Sequence, residues 1–393
     1  MEPTELLEII GRGEDGANQF KADFRNVESL AAEMVAFSNS GGGRIFIGVA
    51  NDGQIAGLTR ADMGRINQLV SNAASQSVRP PINPRTENVA FPDGLIMIVT
   101  IPSGISKPYM DNNGAIWVKS GSDKRKVTSR EEIQRMYQSA SLVHGDEVPA
   151  NGMTPGDLDM DYFRRFFEKY YGESLAEQDL PLNTILDSMN LMKDGVLNVA
   201  GAILFAKRQE FCLPAFCVKC VAYPGNDIHV SEYRDSEDVS GKLEEVFNRS
   251  LSFITRNLRH IQYDQSVNTL GKLEIPKIAL EELLINAVVH RDYFVIAPVR
   301  IFIFDNRIEI ISPGHLPNNL TIENIKKGNS NIRNPILASF AAKILPYRGL
   351  GNGVRRALKE YRDIEFEDDR SGNFFTVTIH RPAQVGQAPP ANK

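Results

Sequence analysis

The chain has 393 residues, 42% hydrophobic and 24% charged, an ordinary balance for a globular protein with room for two or three domains. No apolar run approaches the ~20 residues a membrane span requires. The acidic start, Met1-Glu-Pro-Thr-Glu5, lacks the basic and apolar parts of a signal peptide, so a cytoplasmic protein without a membrane partner is expected. Three cysteines cannot form a disulfide framework, and a net charge of −5 means that any argument for nucleic-acid binding must be local.

Glu5–Ile10 reads as a short helix ended by Gly11, and Asn26 is placed to cap a helix over Val27–Phe37. Ser38-Asn-Ser-Gly-Gly-Gly43 stops that helix. A strand follows over Arg44–Val49, and Asn51-Asp-Gly53 turns the chain back into Gln54–Leu58. A polar helix over about 60–76, a Pro-rich bend at Arg79-Pro-Pro, strands near 95–101 and 115–119, and a helix around Arg130–Tyr137 complete the unit.

Several runs here jointly resemble the Schlafen AlbA-type domain, also called divergent AAA-4, over about residues 12–137. They are Phe20-Lys21, Ala36-Phe37-Ser38-Asn39, Gly42–Val49, Asp52-Gly53 and Trp117-Val-Lys-Ser-Gly-Ser122. The resemblance implies a nucleic-acid-binding module. In Schlafen proteins this unit cuts structured RNA with a small acidic cluster and a divalent metal. Here the cluster looks broken: Glu14 is present, but Gln19 and Ala50 stand at the other two positions, with Asp52 nearby. A metal-dependent nuclease needs at least two carboxylates converging on the ion, because neutral amides do not balance its charge. Asp52 is also what the turn itself requires. The basic residues Lys119, Lys124, Arg125, Lys126 and Arg130 fall within twelve residues. Lys21 and Arg44 join them if the fold resembles its family. This is the candidate DNA- or RNA-binding surface, with ordinary solvated charge as the plain alternative, and binding there should weaken as salt rises.

Residues 138–155 read as a polar Gly/Pro linker and Asp157–Tyr171 as an aromatic-rich helix whose spacing suits core packing. Thr184–Met192 reads as a short helix, Lys193-Asp-Gly195 as a turn, and Leu197–Phe205 as a strand. Ala215–Tyr223 and Ile228–Arg234 read as further strands, followed by a long helix over about 241–259. Cys217-Val-Lys-Cys220 has C-x-x-C form but sits in an apolar run, and core thiols are the reading.

Ala279–Tyr293 reads as a helix with Leu280, Leu283, Leu284, Ala287 and Val288 on one face. Glu282, Asn286 and His290, four residues apart, share a second, polar face. A carboxylate followed one turn later by an amide can position a water and hold a magnesium ion, which would keep most of its own waters and bridge to phosphate oxygens. The plain alternative is an amphipathic helix whose polar face meets solvent. Val299–Phe304 and Arg307–Ile311 read as a hairpin about Asp305-Asn306. Ser312–Pro317 is a Gly/Pro loop. Gly349-Leu-Gly-Asn-Gly353 opens a helix near Val354, where backbone N–H groups and a helix N-terminus favour an anion. In the basic region after the hairpin, Arg333 and Arg348 border the loop motifs and are the candidates to neutralise phosphate. Ser371–Ile379 reads as a closing strand and 383–393 as a disordered tail.

The order helix, hairpin, glycine loop, glycine loop, final strand resembles the GHKL ATPase fold of gyrase, histidine kinases, heat-shock chaperones and MutL. The form resembled is the divergent one at the C-terminal end of bacterial Schlafen AlbA-type regulators. It is carried by Glu282-x-x-x-Asn286-Ala287, His290-Arg-Asp-Tyr293, Ile311-Ser-Pro-Gly314, Ile332-Arg-Asn-Pro335 and Gly349–Gly353. The resemblance implies ATP and Mg2+ as cofactors, with Glu282 activating water and Asn286 holding magnesium. His290, Ser312, Gly314, Arg333, Gly349, Gly351 and Gly353 would then contact the nucleotide. One departure stands out: GHKL proteins typically place an Asp where this chain has Ser312, to read the adenine amino group.

The expected class is α+β multidomain. An N-terminal Schlafen AlbA-type mixed α/β domain (1–137) is followed by a linker (138–155), a middle α/β segment (156–270), a GHKL-like (Bergerat) α/β sandwich (271–382) and a tail (383–393). The expected function is a DNA- or RNA-binding regulator under nucleotide control, in transcription control or phage defence, and by family habit a homodimer. The alternatives are a nucleotide sensor without turnover, a Schlafen-like metal-dependent endoribonuclease and a protein–protein scaffold.

Overall fold

Alternating apolar residues in two strands organise the first unit, residues 1–142. Ile45, Ile47, Met97, Val99 and Ile101 point to one side, and Phe46, Ile96 and Ile98 to the other. A strand presents successive side chains to opposite faces, so this pattern demands cover on both. The computed structural model describes residues 1–140, 142–228, 232–261, 271–317, 320–349 and 351–383. The tail read as disordered lies outside the described residues from 384 on, as do residues 229–231 of the strand read at 228–234.

The first unit runs α1 (Pro3–Arg12), β1 (Asn18–Lys21), α2 (Val27–Asn39), β2 (Gly43–Ile47), α3 (Arg60–Asn72), β3 (Val78–Arg79), β4 (Arg85–Phe91), β5 (Gly94–Ile101), β6 (Met110–Asp111), β7 (Trp117–Ser120), β8 (Asp123–Lys126) and α4 (Arg130–Ser139). Its sheet has the order β1-β2-β5-β4, with β1 and β2 parallel and the other pairs antiparallel. The helices α2 and α3 cover one face, and α1, through Leu6, covers the other. Asn26 caps α2 by accepting from the Glu28 and Ser29 amides at 2.8 and 3.3 Å. The second half of α2 is buried all round, because the β7–β8 hairpin lies against the side turned away from the sheet. Asn39 ties the two together, donating to the Tyr109 and Trp117 carbonyls and accepting from the Tyr109 amide.

The second unit, residues 143–393, continues with α5 (Met160–Tyr171), α6 (Leu182–Ser188), β9 (Met192–Lys193), β10 (Val196–Leu197), α7 (Val199–Phe205), β11 (Val218–Ala222), β12 (Asp235–Val239), α8 (Leu243–Arg256), β13 (His260–Ile261) and β14 (Lys272–Leu273). Then come α9 (Lys277–Val289), β15 (Val299–Ile303), β16 (Arg307–Pro313), α10 (Ile322–Lys326), α11 (Pro335–Ile344), α12 (Gly353–Glu360), β17 (Ile364–Asp369) and β18 (Phe374–His380). A six-stranded sheet has the order β12-β11-β15-β16-β18-β17, with β11 and β15 parallel. Its inward residues, among them Val299, Ile301, Ile303, Ile308 and Ile310, share one apolar core with α5, α7, α8, α9 and α11.

Because β11 and β12 belong to this sheet, the middle stretch and the C-terminal stretch fold as one body. Leu197–Phe205, expected as a strand, is mostly the helix α7. Asn198 caps it by accepting from the Gly201 amide at 2.8 Å, and every residue from Val199 to Phe205 is buried. A short run that is apolar on all sides carries no period to separate a strand from a core helix. The aromatic face of α5 does pack in the core, Phe163 and Phe166 each lying 5.0 Å from the Phe205 ring. Cys220 is a buried core thiol, pushed up to about 12 by burial. α9 ends at Val289, a turn earlier than expected, so His290 caps it and Arg291–Tyr293 lie beyond it.

Candidate functional site

α9 crosses the inner face of the sheet with Glu282, Asn286 and His290 turned toward the end of β16 and the glycine segment before α12. All nine C-terminal candidates line one cavity: Glu282, Asn286, His290, Ser312, Gly314, Arg333, Gly349, Gly351 and Gly353. Arg348, Tyr347 and Arg356 line it too. The space, counted out to the mouth and including open solvent, is about 1070 Å³, and Ile310, Phe366 and Val377 contribute apolar wall. An apolar wall with a few convergent polar groups is the usual make-up of a small-molecule site.

The polar face of α9 is not solvated. Glu282 is buried and its carboxylate is ion-paired with the Arg356 guanidinium of α12. The Asn286 amide donates to the Glu282 carbonyl at 2.7 Å, which fixes its nitrogen and leaves its oxygen as the acceptor end. Gly353, the first residue of α12, lies directly on this pair. A Cβ there would stand 2.5 Å from Glu282 Oε2 and 3.2 Å from Asn286 Nδ2. Gly351 has φ +70°, and a Cβ there would meet Ser330 Oγ at 2.6 Å. The glycines are thus needed for close approach at one position and for a left-handed turn at the other. Arg356 was not singled out from the sequence. The signal was its spacing: three residues after Gly353, it lies on the same side of α12 as the glycine that packs on α9.

The expected loop at Ser312 is the end of β16, paired in register with Phe375 of β18. Ser312 points inward like Ile308 and Ile310 and donates its hydroxyl to the Ala287 carbonyl of α9 at 3.0 Å. A hydroxyl has one proton and two lone pairs, so Ser312 meets the cavity as an acceptor. That is the sense in which an Asp would read an amino group, without the charge. Gly314 follows with φ +98°, and a Cβ there would collide with Arg333 Nη1 and Asp292 Cβ. Arg333 donates to the His315 carbonyl at 2.5 Å, and burial lowers its pKa. His290 Nε2 lies 3.1 Å from the Tyr347 hydroxyl. Burial, reinforced by the Arg333 charge, lowers its pKa to about 4, so the ring is neutral near pH 7. These residues fit a nucleotide with magnesium. Asn286 offers an oxygen donor of the kind that a largely hydrated Mg2+ takes, Glu282 stands beside it where a water can be held, and the glycines open a cradle that side chains would fill.

Behind the cavity the chain entering the second unit is strapped down. His144 Nδ1 lies 3.0 Å from the Arg333 carbonyl oxygen, and Gly145 packs against Tyr293. The buried Asp146 carboxylate accepts from the Leu337 amide in the first turn of α11 at 2.9 Å.

In the first unit the basic candidates divide by strand register. Lys119 and Lys124 are directly paired across the β7–β8 hairpin. Lys124 is ion-paired with Glu33 at 2.5 Å, and Lys119 donates to Gln19 Oε1 at 3.2 Å while covering the Phe37 ring. Burial pulls the Lys119 pKa down, against the raising effect of Glu33 and Glu14. Arg125, on the opposite side, is bidentate on Glu132 at 2.9 and 2.6 Å. Lys21 is 3.9 Å from Glu14, and Arg44 lies over Phe46. Lys126 and Arg130 are exposed. Much of the candidate binding surface is therefore a structural ion network, with exposed charge at Lys126 and Arg130 and, paired to Glu132, at Arg125.

Glu33 was missed from the sequence, although a carboxylate within the apolar second half of α2 was the available signal. Around Gln19 the space is taken by Glu33, Lys119 and Lys124, and the Glu14 carboxylate accepts from the Phe20 amide at 2.7 Å. Among the described residues no group of three or more His, Cys, Asp or Glu converges to hold a metal ion. Nor, among them, is any helix long and apolar enough to cross a membrane.

Two family models match separate parts of the chain. Residues 14–128 match the family model described as "Schlafen, AlbA_2". Residues 297–379 match the model HATPase_c_4, described as "Putative ATP-dependent DNA helicase recG C-terminal". The chain thus carries a Schlafen AlbA_2 domain followed by a recG-type, ATPase-like C-terminal domain. No curated protein matches. Among solved structures, the DIP2311 protein from Corynebacterium diphtheriae is similar at 18% identity and a TM-score of 0.45, over 96% of this chain and 69% of that one. The N-terminal domain of a RecG-related protein from Nitrosomonas europaea is similar at 19% identity and a TM-score of 0.23, over 33% of this chain and 96% of that one.

Proposed function

We propose that this chain is a nucleic-acid-binding regulator whose C-terminal cavity takes ATP with Mg2+ and whose nucleotide state controls the N-terminal unit. One observation carries the reading: residues from four separate stretches, chosen for nucleotide chemistry, line a single cavity whose floor is a carboxylate and an amide beneath a glycine. Magnesium, when bound, supplies counter-charge to the phosphates. In this reading Asn286 orients the ion, the N–H groups of Gly351, Asn352 and the start of α12 receive phosphate, and Ser312 accepts from the base. Glu282 would hold and activate a water once freed from Arg356. We assign nucleic-acid binding to residues 1–137 and nucleotide binding to 271–382. The strap at His144–Asp146 supports coupling between them, because it rests on the backbone of Arg333, a residue of the cavity wall.

Equilibrium binding of MgATP to the full chain, followed by radiolabelled turnover by wild type and Glu282→Ala, tests the proposal. Micromolar to millimolar binding is expected, with turnover above the background shown by Glu282→Ala. Failure to bind at millimolar MgATP removes the reading. The alternative of a sensor that does not turn over draws on one observation, the Glu282–Arg356 pair, which occupies the carboxylate. Binding with equal background turnover in both proteins would select it. For the N-terminal unit, filter binding of duplex DNA and structured RNA at low and high salt should show salt-sensitive affinity. No binding at low salt would favour a scaffold, and RNA cleavage with manganese that vanishes in Glu14→Gln would favour a nuclease. Transcription control or phage defence, and a homodimer, are the contexts in which we place this activity.

A further inference from the structure

The Glu282–Arg356 pair does more than fill the floor of the cavity. Glu282 is buried, and the guanidinium on its carboxylate comes from a helix that begins at the glycine segment. Arg356 is only partly satisfied: its Nε is buried and has no hydrogen-bond partner among the described residues, although it lines the cavity. A buried donor without an acceptor favours any anion that can reach it. Arg355, its neighbour, is exposed and is not among the residues lining the cavity. Gly349 and Gly351, with φ +65° and +70°, precede α12 and give its start a backbone that other residues rarely adopt. Gly353 rests on Glu282 and Asn286, so any lift of the first turn of α12 also draws Arg356 away from the carboxylate.

Building on the nucleotide reading above, we propose that Arg356 is the residue that tells a nucleoside triphosphate from a diphosphate. In the closed cavity its guanidinium neutralises Glu282 and keeps that carboxylate from acting on water. A terminal phosphate offers a planar guanidinium a doubly charged, bidentate partner and competes it away from Glu282. The same exchange seats the triphosphate and frees the carboxylate. A diphosphate, one phosphoryl group shorter, leaves the pair closed. Arg356 is thus a binding and specificity residue, and Glu282 competes with the terminal phosphate for it.

The test is equilibrium binding of MgATP and MgADP to the full chain as wild type, Arg356→Ala, Glu282→Gln, the double variant and the exposed control Arg355→Ala. Loss of one charge-assisted contact should weaken MgATP binding to Arg356→Ala about tenfold and leave MgADP within about twofold. Glu282→Gln should bind MgATP more tightly than wild type, and the double variant should lose that gain. Arg355→Ala should match wild type. Equal effects on both nucleotides in Arg356→Ala, or a Glu282→Gln gain that persists in the double variant, overturns the assignment while leaving the nucleotide site standing. Wild-type protein that binds neither nucleotide overturns both. If Arg356→Ala melts early, Arg356→Lys replaces it. The point-charge ammonium should keep partial preference for MgATP, and full wild-type discrimination in Arg356→Lys would count against bidentate contact.

Discussion

Gly353→Ala isolates the floor of the cavity from the stability of the fold. The added methyl would sit 2.5 Å from Glu282 Oε2 and 3.2 Å from Asn286 Nδ2, where an ordinary contact begins at 3.4 Å. The carboxylate must therefore move by about 1 Å, and it has little room because it is buried and paired with Arg356. Gly353 does not have the positive φ of its neighbours Gly349 and Gly351, so alanine brings no backbone strain. It even favours helix by up to about 1 kcal/mol. The fold should hold, with a melting temperature within about 4 °C of wild type. MgATP affinity should fall about tenfold, the size of one lost charge-assisted contact, and any turnover should fall further, since a 1 Å misplacement can cost about 100-fold. Thermal melting by circular dichroism and isothermal titration with MgATP read the two effects separately. Wild-type affinity and turnover in a well-folded Gly353→Ala protein would refute the claim that α12 closes on Glu282 and Asn286. A melting loss above about 10 °C would show that Gly353 serves packing instead.

Three further outcomes are expected. Glu274 has no exposed side-chain surface and bridges Arg259 and Arg381 at 2.6 and 2.7 Å. Glu274→Gln strands both guanidinium groups and should destabilise by about 3–5 kcal/mol, lowering the melting temperature on the order of 10 °C. Burial alone would raise the Glu274 pKa, but its bonds to Arg259 and Arg381 hold it below its ordinary 4.5. The wild-type advantage is therefore present above pH 4.5 and should shrink as acid titrates the depressed carboxylate; an advantage that does not change with pH would refute it. Asp146 behaves oppositely: burial pushes its carboxyl up to about 6 from 3.8. Its folded form holds the proton more tightly, so stability should fall by about 3 kcal/mol as pH rises from 4 through 6. Urea titrations should show that slope in wild type and lose it in Asp146→Asn, and equal slopes in both would refute it. Lys126→Glu with Arg130→Glu should weaken nucleic-acid binding at low salt and reduce the salt slope by about two, and an unchanged slope would remove those residues from the interface.

Local chemistry was legible wherever a residue type acts on its own backbone. Asn26 caps α2 and glycines mark the segment before α12, as their backbone preferences require, and Asp305-Asn306 joins β15 to β16 without the positive φ of the usual hairpin turn. The helical spacing of Glu282, Asn286 and His290 likewise followed from a period of 3.6. By contrast, α7 reads as a strand because an all-apolar run has no period, and β17, at the sheet edge, alternates only over Ile364-Glu-Phe-Glu367 before Asp368 and Asp369 end the pattern, too short a run to stand out. The partners of charged groups were also out of reach. Lys124 finds Glu33 across 91 residues of chain, and Arg356 finds Glu282 across a sheet connection and two helices. The sequence by itself determined which segments can be helix, strand or turn and which residue types were on offer for phosphate and metal. Only the tertiary structure decided that Glu282 faces a guanidinium instead of water, and that the basic hairpin spends most of its charge internally. Periodicity and capping depend on neighbours within a few residues, whereas an ion pair depends on a distance that only the folded core sets.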